Sequence, residues 1–451
     1  MDQTSLIRKY NIPGPRYTSY PTVPLWENVQ IEQDQWKHLV HRVYNESPAE
    51  GISLYIHLPY CESLCTYCGC NTRITVNHAV EIPYINAVIA EWKMYCGLLG
   101  EKPLIKEMHL GGGTPTFFSP ENLKFLIEGI LKRAEVLPGH EFGFEGHPNN
   151  TTREHLQVLY DLGFRRVSFG IQDFDARVQE IVNRIQPVAV VRECTNVARE
   201  IGYTSVNYDL IYGLPIQTLA SVTETIDEVN KLRPDRIAFY SYAHVPWIKP
   251  GQRKFTEHDL PEDEVKRSLY ENGKRIFGEC GYVEIGMDHF ALPDDALALA
   301  FKNADMHRNF MGYTTTNTRL LIGLGASSIS DAWGAFVQNY KKVEDYLLSV
   351  EEEIFPFYRG HILNAEDLIM REHILSLMCR FETEWKQEDI FFRSEIIRRL
   401  TDMLADGLAE ADDRGVRILP EGLPFVRNAC MAFDLRLWSE RKSGQLFSKT
   451  I

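Results

Sequence analysis

The sequence contains no hydrophobic run long enough to cross a membrane. No stretch reaches the roughly 18 apolar residues that a spanning helix needs. The first ten residues contain no apolar segment of the kind found in export signals. The nine cysteines are an odd number, and five of them stand alone in the chain. We therefore expect a cytoplasmic protein with reduced thiols and no membrane span.

Basic residues are fewer than acidic ones. The chain has 48 Lys and Arg against 62 Asp and Glu, which gives a net charge of −14. This balance argues against general binding of nucleic acid, which requires a basic face. An anionic substrate would be repelled by the overall field, so it would need Arg or Lys groups placed in its own pocket.

What the sequence does contain is a concentration of cysteine. Cys61, Cys65 and Cys68 have the spacing C-x3-C-x2-C, and Cys70 follows two residues later. Thiolates are soft ligands that select iron–sulfur clusters, zinc or copper(I). A four-iron cluster held by only three cysteines would leave one iron open to a small molecule. Zinc with His57 or Cys70 as fourth ligand, and a disulfide in an exported protein, are the alternatives. The chain has no second C-x2-C pair, which structural zinc sites usually show.

Strands and helices alternate from Ile52 onward. Predicted strands cover 53–58, 105–110, 141–145, 166–169, 205–211 and 236–241. Predicted helices cover 80–98, 120–132, 153–162, 188–201 and 220–231, and the apolar segment 282–287 extends the sheet. Six β–α units in series predict an α/β fold with a parallel sheet, curled by right-handed crossovers into a full or partial barrel.

The regions flanking this barrel have different patterns. Residues 1–50 are predicted to form an N-terminal arm, in which 14–21 are rich in turn formers and aromatics. The barrel domain is expected to cover 51–362. Residues 363–451 are predicted to form a helical C-terminal domain, with helices at 365–380, 386–392, 395–406 and 425–442.

Glycine and polar residues collect where the six predicted strands end. Parallel barrels build their active sites at these carboxyl ends. The residues concerned are the cysteine loop, Gly111 to Thr114, Glu145, Gln172 with Asp173, Asp209, and 241–244. Each alone could be a tight turn or a solvated cap, but six in succession favour a single site. Asp209 lies in an apolar strand and needs a partner, for which a ribose hydroxyl or Arg184 would serve.

The cysteine spacing resembles that of radical S-adenosylmethionine enzymes. Along its whole length the chain is similar to one family among them, the oxygen-independent coproporphyrinogen III oxidases. The segments that carry this resemblance are 15–22, 61–71, 109–116, 170–174, 209–215, 242–244, 286–290, 307–315 and 427–430. The resemblance implies a partial (β/α)6 barrel of radical S-adenosylmethionine type with an N-terminal arm and a helical C-terminal domain.

The resemblance also implies residue roles. Cys61, Cys65 and Cys68 would hold a [4Fe-4S] cluster. Because a fourth thiolate would block the open iron, Cys70 is predicted to act at the substrate; a small buried thiol without a role is the alternative. The positions that would line a first S-adenosylmethionine are Tyr55, Gly112, Glu145 and Ile329. Those that would line a second one are Tyr67, Gly113, Thr114, Gln172, Arg184, Asp209 and Ala243.

The implied reaction is the oxidative decarboxylation of two propionates of coproporphyrinogen III to vinyl groups, which gives protoporphyrinogen IX in haem biosynthesis. A 5′-deoxyadenosyl radical would start it, a reductase or flavodoxin-type donor would supply electrons, and the protein would act as a monomer. Arg16 and Arg308 are candidate clamps for the tetracarboxylate substrate. A haem chaperone of the same superfamily and a radical methyltransferase acting on a tetrapyrrole are the rival functions.

One departure from the family is Gly146-His147-Pro148-Asn149, where relatives read x-Asp-Pro-Arg after the glutamate.

Overall fold

A mixed sheet of twelve strands forms the centre of the protein. The computed structural model describes residues 3–27, 31–100, 102–439, 447 and 449–450. In chain order the sheet strands are β1 Ile52–Leu58, β2 Leu104–Gly112, β3 Glu135–Gly146, β4 Arg166–Gln172, β5 Ser205–Tyr212, β6 Arg236–Ser241, β7 Val283–Gly286, β8 His289–Ala291, β9 Leu321–Leu324, β10 Ile329–Asp331, β11 Ala335–Asn339 and β12 Phe357–Ile362. Their order across the sheet is β12-β11-β10-β9-β1-β2-β3-β4-β5-β6-β8-β7.

The six predicted strands are confirmed as β1 to β6, and neighbours among them pair in parallel. Strand β5 shows why this sequence makes such a sheet. Val206, Tyr208 and Leu210 face outward and are buried in the hydrophobic core. Asn207 and Asp209 alternate with them and face the inside of the curved sheet. The inner surface is therefore polar, which is unusual for a barrel core and prepares it to hold a polar ligand.

Helices cover the outer face of the sheet. In chain order the helices are α1 Gln3–Tyr10, α2 Gln33–Glu46, α3 Glu81–Leu99, α4 Pro120–Leu131, α5 Arg153–Asp161, α6 Ala176–Ile181, α7 Val188–Ile201, α8 Leu219–Leu232, α9 Asp263–Glu279, α10 Ala296–Lys302, α11 Val343–Glu351, α12 Ala365–Arg380, α13 Arg393–Ala405, α14 Val426–Phe433 and α15 Leu435–Ser439. Helix α8 is typical. Thr218 caps its first turn by accepting from the Ser221 N–H, and Val222, Ile226 and Val229 form the apolar stripe that packs on the strands.

The sheet extends further than the sequence predicts. Segment 282–287 does join it, as β7, and five further strands follow. Strand β9 pairs in parallel with the other edge of β1, and β10, β11 and β12 continue antiparallel from it. As a result β1, which leads into the cysteine loop, lies in the interior of the sheet between β9 and β2.

The C-terminal part is mainly helical, as predicted, but it also contains a small sheet. Three antiparallel strands, β13 Glu382–Glu384, β14 Ala409–Ala411 and β15 Gly415–Ile418, pack with α12 and α13. The expectation of helices alone is therefore wrong here. The predicted helix 425–442 is interrupted at Asp434, whose carboxylate accepts from the Leu437 N–H at 2.8 Å. Residues 440–442 lie outside the described residues.

The N-terminal arm is divided between two hydrophobic cores. Tyr17 and Tyr20 are buried with the C-terminal helices, whereas Trp36 and Val40 of α2 are buried against the barrel. Residues 14–22 form neither helix nor strand, as predicted. The three-part division at 50 and 362 stays a prediction. Among the described helices, none is long and apolar enough to span a bilayer.

Candidate active site

A cavity of about 780 Å³ opens at the carboxyl ends of the parallel strands. Thirteen of the fifteen site residues predicted from the sequence line it: Cys61, Cys65, Tyr67, Cys68, Cys70, Gly112, Gly113, Thr114, Glu145, Gln172, Arg184, Asp209 and Ala243. Tyr55 lies just behind the wall, because a Cβ on Gly111 would meet its ring at 3.1 Å. Ile329 is also not part of the lining; it packs beside the apolar cluster of Trp26 and Phe336, and its backbone lies against Gly323, which pairs with Tyr55.

The cysteine loop is held by hydrogen bonds from elsewhere in the chain. The Thr66 N–H donates to the Val182 carbonyl at 2.9 Å, just beyond α6. The Asn183 side chain donates to the Leu64 carbonyl at 2.8 Å. Gln252 donates to the Tyr67 carbonyl at 3.1 Å. The loop that carries the three thiols is thus fixed in place although it has almost no regular secondary structure.

Each of the three thiols has its own neighbour. Cys61 Sγ lies 3.3 Å from the Thr114 hydroxyl, and Arg184 Nη1 donates to Cys65 Sγ at 3.6 Å. A hydrogen bond from the Cys70 thiol lowers the pKa of Cys68 to about 6. No set of three His, Cys, Asp or Glu side chains in the described part of the chain is arranged for a single metal ion. Three soft donors on one cavity wall, with a guanidinium beside them, fit a thiolate-bound iron–sulfur cluster.

The glycines after β2 allow this strand end to approach the cysteine loop. Gly112 has φ +110°, and a Cβ there would lie 2.6 Å from the His57 ring. A Cβ on Gly113 would lie 2.7 Å from the Pro59 carbonyl. With no side chains in the way, the Gly113 N–H donates to the Leu58 carbonyl at 2.8 Å. Glycine is required here for a close backbone approach.

Two buried histidines near the cysteine loop each have hydrogen-bond partners. His57 Nε2 donates to the Asn71 carbonyl at 2.9 Å, and its Nδ1 accepts from the Tyr55 hydroxyl at 3.2 Å. Burial lowers the pKa of His57, so the ring is neutral. Both of its nitrogens are engaged, which leaves neither for the zinc alternative. His109 Nε2 lies 3.3 Å from Glu145. Burial opposes ionisation of that carboxyl, but His109, the Gly112 N–H and His57 together outweigh burial and lower the pKa of Glu145.

Asp209, the carboxylate that the sequence predicts to need a partner, is partly buried and has two partners. Asp209 accepts from the Ser168 hydroxyl at 2.8 Å and from the Asn207 amide at 2.9 Å. Burial, and then the charge of Glu145, raise the pKa of Asp209 to about 6. Arg184, the partner suggested from the sequence, donates instead to the Gly170 carbonyl and to Cys65. The suggested ion pair is therefore replaced by neutral donors.

The two predicted cationic clamps have different positions. Arg16 lines the cavity, 3.6 Å from Asp288. Arg308 is buried beside the arm, where its Nε donates to the Tyr17 carbonyl at 3.3 Å and its guanidinium stacks on Tyr313 at 4.4 Å. Arg308 therefore positions the arm that carries Arg16.

The departure from the family pattern forms a closed turn. His147 Nδ1 accepts from the Asn149 N–H at 3.2 Å, and burial lowers the pKa of His147 to about 3. His147 is thus neutral and hydrogen-bonded. Asn149 donates to the Ile185 carbonyl at 2.9 Å, which ties this turn to the residue after Arg184.

Some cavity residues were not found from the sequence. Gln252 bridges the carbonyls of Tyr67 and Ala243 at 3.1 and 3.2 Å, and Lys249 donates to the Cys70 carbonyl at 3.1 Å. Lys249 lies in an irregular segment and Gln252 in the short 3₁₀ helix that follows it, and neither segment has an apolar periodicity that would mark them. Arg166 and Arg236 also line the cavity. Each is the first residue of a predicted strand, and alternation along those strands would have placed them on the inner face.

Known proteins resemble this chain over almost its whole length. Residues 55–229 match the family model described as the Radical SAM superfamily. The oxygen-independent coproporphyrinogen III oxidase of Synechocystis sp. is 38% identical over 99% of this chain and 97% of its own. The Escherichia coli protein of the same name is 37% identical over 99% of this chain and 98% of its own length.

A solved structure gives the same result for the fold. The structure of coproporphyrinogen III oxidase from Escherichia coli, a radical SAM enzyme, superimposes with a TM-score of 0.90 at 35% identity, covering 96% of this chain and 98% of that one. The partial barrel of radical S-adenosylmethionine type is therefore confirmed. With relatives this similar along its full length, the chain belongs to the oxygen-independent coproporphyrinogen III oxidase family of the radical S-adenosylmethionine superfamily.

Proposed function

We propose that this chain converts coproporphyrinogen III to protoporphyrinogen IX without oxygen, as an oxidoreductase of haem biosynthesis. Two propionate side chains each lose a hydrogen atom, carbon dioxide and one electron, and become vinyl groups. The main support is the convergence of thirteen predicted residues on one cavity in a chain of this family. A haem chaperone or a tetrapyrrole methyltransferase would use the same barrel but yield a different product.

The residues that would hold the cofactors are those already described. Cys61, Cys65 and Cys68 would ligate a [4Fe-4S] cluster. A first S-adenosylmethionine would lie against Tyr55, Gly112, Glu145 and Ile329, and a second against Tyr67, Gly113, Thr114, Gln172, Arg184, Asp209 and Ala243. When bound, cluster and cofactor together supply a 5′-deoxyadenosyl radical that removes hydrogen from the propionate.

The protein's own contribution is to bind, orient and exclude water. Arg184 beside Cys65 offsets the negative charge of the thiolates. Glu145 is held ionised by His109 and can accept from an amino group. Asp209 can accept from a ribose hydroxyl, because its two partners leave lone pairs on the carboxylate.

Cys70 is proposed to act at the substrate rather than on the cluster. It is exposed to the cavity, whereas the three predicted ligands are only partly exposed. A fourth thiolate on the open iron would block the cofactor. From its position, Cys70 can exchange a hydrogen atom or contact the porphyrinogen.

The electron is proposed to come from an acidic carrier of the flavodoxin type. The surface beside Cys70 and Asn71 combines cationic and apolar groups: Lys249 bonds to the Cys70 carbonyl, and Asn71 bonds to the carbonyl of the exposed Lys341. Next to them the Ile248 side chain is 64% exposed. On a chain of net charge −14, this cationic surface complements an acidic partner.

Replacement of Lys341 tests this surface. Lys341→Glu is expected to reduce turnover several-fold when flavodoxin supplies electrons at low salt, because like charges then meet at the contact. Turnover with dithionite should be unchanged. Lys302→Glu, on the exposed face of α10, is the control. An equal loss with both reductants would contradict the docking role.

One incubation tests the proposed reaction. The reconstituted protein is incubated anaerobically with S-adenosylmethionine, a reductant and coproporphyrinogen III, beside Cys61→Ala. We expect a product that has lost two carboxyl groups, made only by the unaltered protein. A methylated tetrapyrrole, or unchanged substrate together with stably bound haem, would favour one of the rivals. Action as a monomer in the cytoplasm stays a prediction, and the nine free cysteines support a reducing compartment.

A further inference from the structure

A second, smaller cavity adjoins the first. It has a volume of about 70 Å³, and Arg16 and Ser241 line both cavities. Its walls include residues of the arm, of helix α9 and strand β7, of the ends of β5 and β6, and of the C-terminal part around helix α14. Nothing in the reaction described above uses it.

One guanidinium in this cavity has a donor that is not used. Arg267 projects from α9, and its side chain is only 10% exposed. One end pairs with Glu271, four residues further along the helix. Its Nε is buried and has no hydrogen-bond partner among the described residues. A buried donor without an acceptor is costly, so a missing acceptor in the cavity would explain it.

The charges around the cavity favour an anion as that acceptor. Four cations line it: Arg16, Arg267, Arg427 and Lys449. Two acidic residues, Glu284 and Asp288, face them. Glu284 is neutralised by Lys274 at 2.6 Å, Arg267 pairs with Glu271, and Lys449 pairs with Asp263. Among the described lining residues, Asp288 is then the one carboxylate that faces Arg16 and Arg427, which leaves one positive charge in excess. In a chain of net charge −14, this is a local positive excess.

The cations differ in what they can still bind. Arg427 donates to the carbonyls of Gly14 and Pro15 and to that of Thr450, so it contributes charge rather than free donors. Arg16 makes only a long contact to the Ser241 carbonyl at 3.5 Å and a loose ion pair with Asp288 at 3.6 Å. Arg16 and Arg267 are therefore the two groups able to receive a ligand.

We propose that the second cavity is a carboxylate subsite that takes one propionate of the tetracarboxylate substrate, with Arg267 and Arg16 as its receptors. This rests on the proposed function and deepens it. A water molecule needs roughly 10–15 Å³ of such a cavity, so 70 Å³ admits one propionate side chain but not the tetrapyrrole macrocycle. The macrocycle then remains in the main cavity, and one of its propionate side chains extends past Ser241 into the second cavity.

The second cavity opens beside Ser241, at the end of β6. Gln252 bridges the carbonyls of Ala243 and Tyr67, so the segment after Ser241 adjoins the cysteine loop. Holding one propionate past Ser241 would therefore fix the orientation of the macrocycle in the main cavity, so that another propionate faces the cysteine loop.

Helix α9 provides a matched pair of variants for the test. Arg267 and Arg275 each pair with a glutamate four residues later, but the Arg275 side chain is 57% exposed and lies on the surface. Arg267→Gln is expected to raise KM for coproporphyrinogen III roughly 10- to 100-fold, since it removes a charged hydrogen bond. Iron content and kcat at saturation should stay within about twofold. Arg275→Gln should behave as the unaltered protein.

A substrate analogue separates binding from folding. Among analogues that each have a single propionate methylated, one should bind the unaltered protein more weakly by the same factor, and Arg267→Gln should show no further loss with that analogue. Arg267→Lys keeps the charge and should recover part of the affinity. An unchanged KM in Arg267→Gln, or an equal rise in Arg275→Gln, would overturn the subsite. Absence of any product from the unaltered protein would instead contradict the proposed function, and equilibrium binding of acid and ester would still report on the subsite.

Discussion

Replacing Asp209 by Asn is expected to stabilise the fold while impairing turnover. Asp209 titrates at a pKa of about 6 instead of 3.8, first because it is buried and then because Glu145 is close. A raised carboxyl pKa means that ionisation costs the folded state free energy. The cost is absent below about pH 4 and complete above pH 6. The difference corresponds to roughly 3 kcal/mol, which screening in the cavity reduces to about 1–2 kcal/mol.

Asparagine avoids this cost without losing the local hydrogen bonds. The Asn207 amide can still donate to the remaining carbonyl oxygen, and the new amide can donate to the Ser168 hydroxyl, which has two lone pairs. What is lost is the anionic acceptor for a ribose hydroxyl. Stability and activity should therefore change in opposite directions.

Thermal unfolding of the cofactor-free protein checks the first half of this prediction. Asp209→Asn should melt higher than the unaltered protein at pH 7.5, and the gain should fall to about half at pH 5. Asp227→Asn, on the exposed side of α8, is the control. A lower melting temperature at pH 7.5, or a gain that does not depend on pH, would refute the reasoning. If Asp209→Asn turned over substrate as fast as the unaltered protein, the assignment of Asp209 to the second cofactor site would be contradicted.

Two further predictions concern the cysteine loop. Replacing Cys61, Cys65 or Cys68 by Ala should remove most of the iron bound after anaerobic reconstitution. The control is Cys430→Ala, at a residue buried in the C-terminal core, which should retain its iron. Full iron content in the three loop variants would contradict the ligand assignment. Cys70→Ser should keep the iron and still bind S-adenosylmethionine but lose most decarboxylation, measured as iron and protoporphyrinogen in one preparation. Loss of iron would make Cys70 a ligand, and an unchanged yield would make it a packing residue.

The parallel half of the sheet could be predicted because its strands are long. Strands β1 to β6 span six to twelve residues and alternate with amphipathic helices, so two periodicities reinforce each other. Strands β8 to β12 have three to six residues. A fully buried segment such as Leu321–Leu324 has no alternation that would separate it from a core helix.

The location of the site could be predicted from the ends of the strands, but the hydrogen bonds between its residues could not. Residues at six strand ends meet in one cavity because parallel strands share one carboxyl edge. The partner of Asp209 could not be predicted, because Ser168 and Asn207 have no charge to suggest a pairing. Arg267 with Glu271 has the same sequence spacing as the surface pair Arg275 with Glu279. Only tertiary packing makes one of these arginines a cavity wall.

The hydrogen bonds between Arg427 and the N-terminal arm have a consequence for how the protein folds during synthesis. Arg427 bonds to the carbonyls of Gly14 and Pro15, which precede it by 413 and 412 positions. At ribosomal rates of about 5–20 residues per second, these partners are synthesised roughly 20 to 80 seconds apart. The barrel can fold in that interval, with its cysteine loop formed and the Arg16 side of the cavity uncovered. The nascent chain thus provides a period in which iron and sulfide can reach the thiols before Arg427 is translated and binds the arm.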